Sequence, residues 1–282
     1  MTQPEGLIGR LTKWLESQGY PLEMRTAREF HSRGIFAALG HYYVDPDTGQ
    51  QRETDIMVRL NQGSGDTGVG VVLVIECKSA RDKPWVLFSG DLSQRSSRSL
   101  YSALQFTCPK EAGARLRSGL KKDDPVPLLS GCEPFGHSLV RAYGGNEDVA
   151  FGAMMSAAKA AVGVRNALDT FGMVEPSVVI PVVLIDAPLV QCTLDEAGQP
   201  ALTPIDRGTV CWRYQMKSSS SMGGTDIIVV TSAALPKLVD DLITTGRSLE
   251  AALKRTAERK AALARSARKA LLEAAASEPD SE

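Results

Sequence analysis

The chain of 282 residues is poor in the side chains that build closed metal sites or covalent cross-links. Its five cysteines, at 77, 108, 132, 192 and 211, contain no Cys-x-x-Cys pair, and its histidines, His31, His41 and His137, are scattered. A structural zinc site or a disulfide framework is therefore not expected. Long hydrophobic runs are missing as well. The most apolar stretch, 178–190, is short and is broken by Pro181, Asp186 and Pro188, so it does not read as a membrane span. Met1-Thr-Gln-Pro-Glu5 lacks the basic start and apolar follow-on of a secretory leader. A cytoplasmic protein with no membrane partner is the expectation. The net charge of −1 gives a polyanion no overall attraction, so a nucleic-acid partner would need a local basic patch. What the chain does have is 43% hydrophobic residues, enough for a real core in one large domain or two small ones.

The most informative stretch is Arg52-Glu-Thr-Asp-Ile-Met-Val-Arg-Leu60, a glycine-rich turn, and Val69-Gly-Val-Val-Leu-Val-Ile-Glu-Cys-Lys78. Both arms alternate, with Asp55, Met57 and Arg59 against Ile56, Val58 and Leu60, and Val72, Val74, Glu76 and Lys78 against Val71, Leu73, Ile75 and Cys77. A hairpin turning between Gly65 and Asp66 pairs Leu60 with Val71, Met57 with Val74, and Asp55 with Glu76. The two carboxylates are then cross-strand neighbours with Cβ atoms about 5 Å apart. Carboxylates that close repel unless one is protonated or a cation lies between them, and a divalent metal is the economical explanation. Lys78 projects from the same face. The turn also contains a formal G-x-G-x-x-G, Gly63 to Gly68, but it opens a strand where a dinucleotide fingerprint opens a helix, so it reads as a plain hairpin turn.

In chain order, 7–18 and 21–32 read as helices, with Glu23 in the first turn of the second, where the helix dipole already favours an acid. Strands follow at 35–44, 52–60 and 69–78, consecutive and so an antiparallel meander, and 83–88 reads as one more short strand. The region 89–147 is an irregular insertion. Within 92–122 it holds Arg95, Arg98, Lys110, Arg115, Arg117, Lys121 and Lys122 against Glu111 alone. This is either a DNA-backbone contact surface or a solvated loop. An alanine-rich helix at 148–170 and an apolar strand at 177–186 suggest a crossover returning to the sheet. A hairpin is expected from 189–194 to 209–216, then a polar tether at 218–224, a strand at 225–231 and a helix at 233–245. A separate helix over 249–275 carries eight Lys and Arg across 247–273 against Glu250, Glu258 and Glu273. It could lie along DNA, pair with a partner helix or project into solvent. The acidic end, 277–282, reads as disordered.

Asp55, twenty intervening residues, and Glu76-Cys77-Lys78 at the end of an apolar strand resemble the PD-(D/E)xK nuclease superfamily. That resemblance implies an α/β, restriction-endonuclease-like fold: a mixed β-sheet core flanked by helices in the order α-β-β-β-α-β, here with an insertion and a long C-terminal helix. It covers a core of about 20–190 within a nuclease domain of 1–231, with the basic insertion at about 89–147; helices and the acidic tail occupy 232–282. Thr54 stands where the motif name has Pro, and no Q-x-x-x-Y follows the lysine.

The resemblance further implies that Asp55, Glu76 and the Cys77 backbone carbonyl bind Mg²⁺, with Mn²⁺ as a substitute, and that Glu23 adds to this site. Lys78 would orient or deprotonate the attacking water and offset charge in the transition state. The activity implied is metal-dependent endonucleolytic hydrolysis of phosphodiester bonds, in DNA, for DNA processing or defence against foreign DNA. Arg95, Arg98, Arg115, Arg117, Lys121 and Lys122 are the candidate nucleic-acid contacts, and a homodimer or partner subunit remains open. The competing reading is a non-catalytic module of the same fold that binds nucleic acid or a protein. Trp85 reads as core more than as a nucleic-acid contact, Lys159 as a snorkelling lysine more than a site residue, and Cys77 as buried and inert.

Overall fold

The computed structural model describes residues 6–79, 83–90, 104, 108, 110–130, 133–144, 148–170, 176–213 and 224–276. Arg95, Arg98, most of the tether at 218–224 and the acidic end 277–282 lie outside the described residues. Helices α1 (Leu7–Ser17) and α2 (Tyr20–Ser32) lead into strands β1 (Phe36–Val44), β2 (Gln51–Gln62) and β3 (Val69–Ser79). Then come β4 (Trp85–Phe88), helices α3 (Lys110–Gly119) and α4 (Pro127–Ser130), and the short strands β5 (Phe135–Gly136) and β6 (Ser138–Arg141). Helix α5 (Val149–Thr170) precedes β7 (Ser177–Asp186), β8 (Leu189–Leu194), β9 (Pro200–Ile205), β10 (Arg207–Arg213), β11 (Gly224–Thr231) and helix α6 (Leu235–Ala276).

The period-two alternation of the first three strands produces the expected meander, with β1–β2 and β2–β3 antiparallel. Strand β3 then pairs in parallel with β7, the strand that follows the crossover helix α5. The result is a mixed seven-stranded sheet in the order β1-β2-β3-β7-β11-β10-β5. Because β3 and β7 are central, residues 69–77 and 177–185 are buried throughout, which is why both read as unbroken apolar runs. One face is covered by α2 and α6, whose Leu22, Phe30, Leu238, Leu242 and Leu249 pack on Ile56, Leu73 and Ile75. The other is covered by α5, whose small side chains Ala157, Ala160 and Ala161 let it lie close over the strands. Each fully buried aliphatic side chain contributes about 2 kcal/mol.

Three stretches differ from the sequence expectation. The region 89–147, expected to be irregular, supplies α3, α4, β5 and β6, and its Leu116, Leu128 and Leu129 join the main core. The hairpin expected from 189–194 to 209–216 does not form: β8 pairs with β9, β10 pairs with β11, and β4, β6, β8 and β9 make a second four-stranded sheet. The two C-terminal helices are one, α6, of 42 residues. Gly246, which resembles a helix stop, sits inside it at a close approach to β2, where a Cβ would lie 3.0 Å from Leu60 and Gln62. The first half of α6, through Leu253, belongs to the core of the main sheet. Among the described residues no helix is long and apolar enough to cross a membrane.

Candidate functional site

The β2–β3 register is the one the sequence implies. Leu60 lies opposite Val71, Met57 opposite Val74 and Ile56 opposite Ile75, so the next step places Asp55 beside Glu76. A short turn of 3-10 helix, Gly65–Thr67, closes the hairpin. Ile56, Val58, Leu73, Ile75 and Cys77 face the main core, which turns Asp55, Glu76 and Lys78 to the face covered by α5. Opposite Asp55 on its other side is Gly40 of β1, with φ +62°, where a Cβ would meet the Glu53 carboxylate at 2.7 Å. A glycine there leaves room around the acidic cluster that any side chain would take.

The contacts are specific. The Cys77 backbone N–H donates to Asp55 Oδ2 at 2.7 Å, and Lys78 Nζ donates to Glu76 Oε1 at 2.7 Å. Cys77 thus touches the cluster through its N–H. Its thiol is buried, and burial together with the surrounding carboxylates pushes it well above its ordinary value, which makes it inert as a nucleophile. Glu76 is 8% exposed. Burial, reinforced by the Asp55 charge and opposed by Lys78, pushes its carboxyl up to about 7. Burial also raises Asp55, against the Cys77 hydrogen bond and Lys78 and with Glu53. Glu23 is raised by burial, then by Asp55 and Glu53, which brings the α2 glutamate into the same electrostatic cluster. For Lys78 burial works downward, but Glu76 and Asp55 outweigh it and hold the ammonium above its ordinary value.

This donor set fits a hard divalent cation in one respect and limits it in another. A buried glutamate raised by burial and by a neighbouring aspartate is short of positive charge, and oxygen donors are what Mg²⁺ takes. Among the described residues, however, no group of three His, Cys, Asp or Glu side chains could hold a metal ion by itself. Any ion here would therefore rest on the Asp55 and Glu76 carboxylates, with water or substrate oxygens completing its shell, as Mg²⁺ commonly does.

Other expected residues fall elsewhere. Arg115 donates to the Asp66 carbonyl oxygen at 2.7 Å, at the turn of the hairpin. That turn is separated from Glu76 by roughly 23 Å of β3, Val69 to Glu76, at about 3.3 Å per residue. Arg117, Lys121 and Lys122 lie on or just after the same helix, α3. Among the described residues, Arg115, Arg117, Lys121 and Lys122 therefore do not converge on the carboxylates. Its charge is also smaller than the 92–122 window suggests, because Asp123 and Asp124 follow directly and Asp124 pairs with Arg255. Lys159 does not snorkel: it binds Asp45 at 3.3 Å and Asp47 at 3.0 Å. Trp85 is fully buried, and Lys83 is half-buried.

Sequence reasoning missed Glu53, which the period of two on β2 places on the same face as Asp55. It also missed Asp186, which ends β7 beside Ser79 and binds Ser232 at 2.9 Å and Arg25 at 3.8 Å. No local signal in the sequence ties Asp186 to Ser232 and Arg25. No protein-family model matches the chain, and neither a curated protein nor a solved structure matches it.

Proposed function

We propose that Asp55, Glu76 and Lys78 form the hydrolytic site of a metal-dependent nuclease that cleaves phosphodiester bonds, in DNA. The observation that carries this is the side-by-side placement of the half-buried Asp55 and the buried Glu76 carboxylates, with Lys78 hydrogen-bonded to Glu76. The element order α2-β1-β2-β3-α5-β7 supports a restriction-endonuclease-like core, since it repeats the α-β-β-β-α-β order of that fold. DNA processing or defence against foreign DNA is the role such a core supplies.

Asp55 and Glu76 would hold Mg²⁺, which on binding supplies Lewis-acid polarisation and a more acidic water. The protein's own part is to hold these groups still. The Cys77 N–H fixes the Asp55 carboxylate, and Glu76 fixes the Lys78 ammonium. A lysine held above its ordinary range is a donor and not a base, so Lys78 positions a phosphate oxygen and offsets its developing charge. Proton acceptance from water falls to the carboxylates.

A non-catalytic binding module is the second reading, favoured by the way Lys78 already offsets the Glu76 charge. A metal-dependent cleavage assay decides between them, using single- and double-stranded DNA and RNA and the variants Asp55→Asn, Glu76→Gln and Lys78→Ala. Cleavage that needs Mg²⁺ or Mn²⁺ and disappears in all three, with binding retained, is the expected result. Undiminished cleavage in the three variants would remove the site from this position.

A further inference from the structure

We propose that the free half of α6 is a polyanion-binding arm that grips the phosphate backbone of nucleic acid, at a place distinct from the Asp55 and Glu76 cluster. The helix is anchored through Leu253 in the main core and clamped by α3 near its midpoint. There Gly119 approaches so closely that a Cβ would overlap the Ala252 carbonyl oxygen at 1.9 Å. Arg255 donates to the Gly119 carbonyl at 2.8 Å and Arg259 to the Ser118 carbonyl at 2.6 Å. Beyond that clamp every residue from 258 to 273 is exposed.

This exposed segment carries Arg259, Lys260, Arg265, Arg268 and Lys269 against Glu258 and Glu273. At 3.6 residues per turn, Arg265, Arg268 and Lys269 share a face with Lys254, a row about 22 Å long at about 1.5 Å per residue that Glu258 interrupts once, so the face keeps a positive excess. Lys254 and Lys269 have intrahelical partners, Glu250 at 2.6 Å and Glu273 at 3.7 Å, but remain solvent-exposed and free to exchange them. Because the core fixes the helix, the row is presented without ordering a disordered segment, so little entropy is lost on binding.

The same helix side that packs on the sheet continues into the arm as Leu263, Ala267, Ala270 and Leu271, with both leucines 72% exposed. Leu272 is exposed too but lies on the basic side, so the stripe itself holds two leucines among alanines, too little apolar area to seat a helix in a bilayer surface. Pairing with a second copy would bring two basic arms together, a like-charge cost that a polyanion turns into a gain. Charge complementarity therefore selects phosphate as the partner.

This inference extends the nuclease reading to how its substrate is retained, and one titration separates the two. The full-length protein is titrated against a labelled duplex of about 30 base pairs and the matching single strand, by anisotropy, from roughly 50 to 300 mM salt. The comparison variant carries Arg259→Gln, Lys260→Gln, Arg265→Gln, Arg268→Gln and Lys269→Gln together, substitutions that keep helix propensity. The expected result is at least about tenfold weaker binding at low salt and a log–log salt slope flatter by about three, with helicity unchanged. Asp55→Asn should bind like the unsubstituted protein, so a loss of cleavage alone would touch only the nuclease reading. An unchanged salt slope in the five-fold variant would overturn the arm. So would vesicles of phosphatidylserine binding, or dimerisation by sedimentation, that depends on Leu263→Gln and Leu271→Gln while the slope stays fixed.

Discussion

Asp55 on β2 accepts a hydrogen bond from the backbone N–H of Cys77 on β3, at 2.7 Å. The bond lies just past the last regular pairing of the two strands, Ile56 with Ile75, so a side chain continues the ladder where the backbone stops. It gives Asp55 two duties, structural and chemical, and they can be separated. Asp55→Asn keeps an acceptor for the Cys77 N–H and removes the charge. Asp55→Ala leaves that amide, at the edge of a buried strand, without its partner. Thermal or denaturant unfolding should find Asp55→Asn near the unsubstituted protein and Asp55→Ala less stable by roughly 1–3 kcal/mol. Equal losses in both would mean the hydrogen bond contributes nothing.

The Glu76 carboxyl gives a pH dependence of known sign. Its value is about 7 in the folded protein and 4.5 without the fold, so the folded state holds this proton more tightly than the unfolded chain. The Glu76 contribution to folding stability is therefore greatest below about 4.5, falls as pH rises from there to 7, and stays low above it, by on the order of 3 kcal/mol. Glu76→Gln removes that cost. In metal-free buffer near pH 8 it should unfold at a higher temperature than the unsubstituted protein, by roughly 2–4 °C per kcal/mol regained. The loss of the Lys78 charge partner trims the gain. Near pH 4 the difference should vanish. Mg²⁺ should raise the unfolding temperature of the unsubstituted protein at pH 8 and leave Glu76→Gln unmoved. A substitution that destabilises at every pH would place Glu76 in a favourable charge environment instead.

What the sequence made legible follows from how local each signal is. The meander and the Asp55–Glu76 register could be read because alternation and turn chemistry are properties of neighbouring residues. The crossover from β3 to β7 was legible because strands buried on both faces leave unbroken apolar runs. The second sheet was not, since β4 and β6 have four residues each, β9 carries Pro200 and Pro204, and its pairings join Val86 to Val190 across a hundred residues of chain. The break expected between 245 and 249 does not occur, because Gly246 lies against Leu60 of β2, a close approach that the sequence does not show. Glu53 needed no long-range knowledge at all. It stands two residues before Asp55, on the same side of the same strand.

Lys159 shows the same limit from the side of charge, and its correction yields the last prediction. Asp45 has no exposed surface and accepts hydrogen bonds from the Asp47 and Thr48 N–H groups at 2.8 and 3.1 Å. Burial alone would raise its carboxyl, but those bonds and Lys159 outweigh it and hold it below its ordinary value. Arg52 and Lys159 complete the neutralisation at 2.9 and 3.3 Å. The network therefore ties α5 to the β1–β2 turn, and α5 is the helix that lies over the carboxylate face. Removing one partner from a buried ion pair costs roughly 3–5 kcal/mol, because the other charge stays behind in a poor solvent. Asp45→Ala should cost toward the lower end of that range, since it frees two backbone N–H groups and removes the Arg52 pair, while Lys159 keeps Asp47 at 3.0 Å. Lys159→Met should cost less, because Arg52 still neutralises Asp45 and the methionine refills the space. Hydrogen exchange should accelerate at the β1–β2 turn and along α5 in both variants while β10 and β11 stay protected. Uniform acceleration across the sheet would show instead that the network acts on global stability alone.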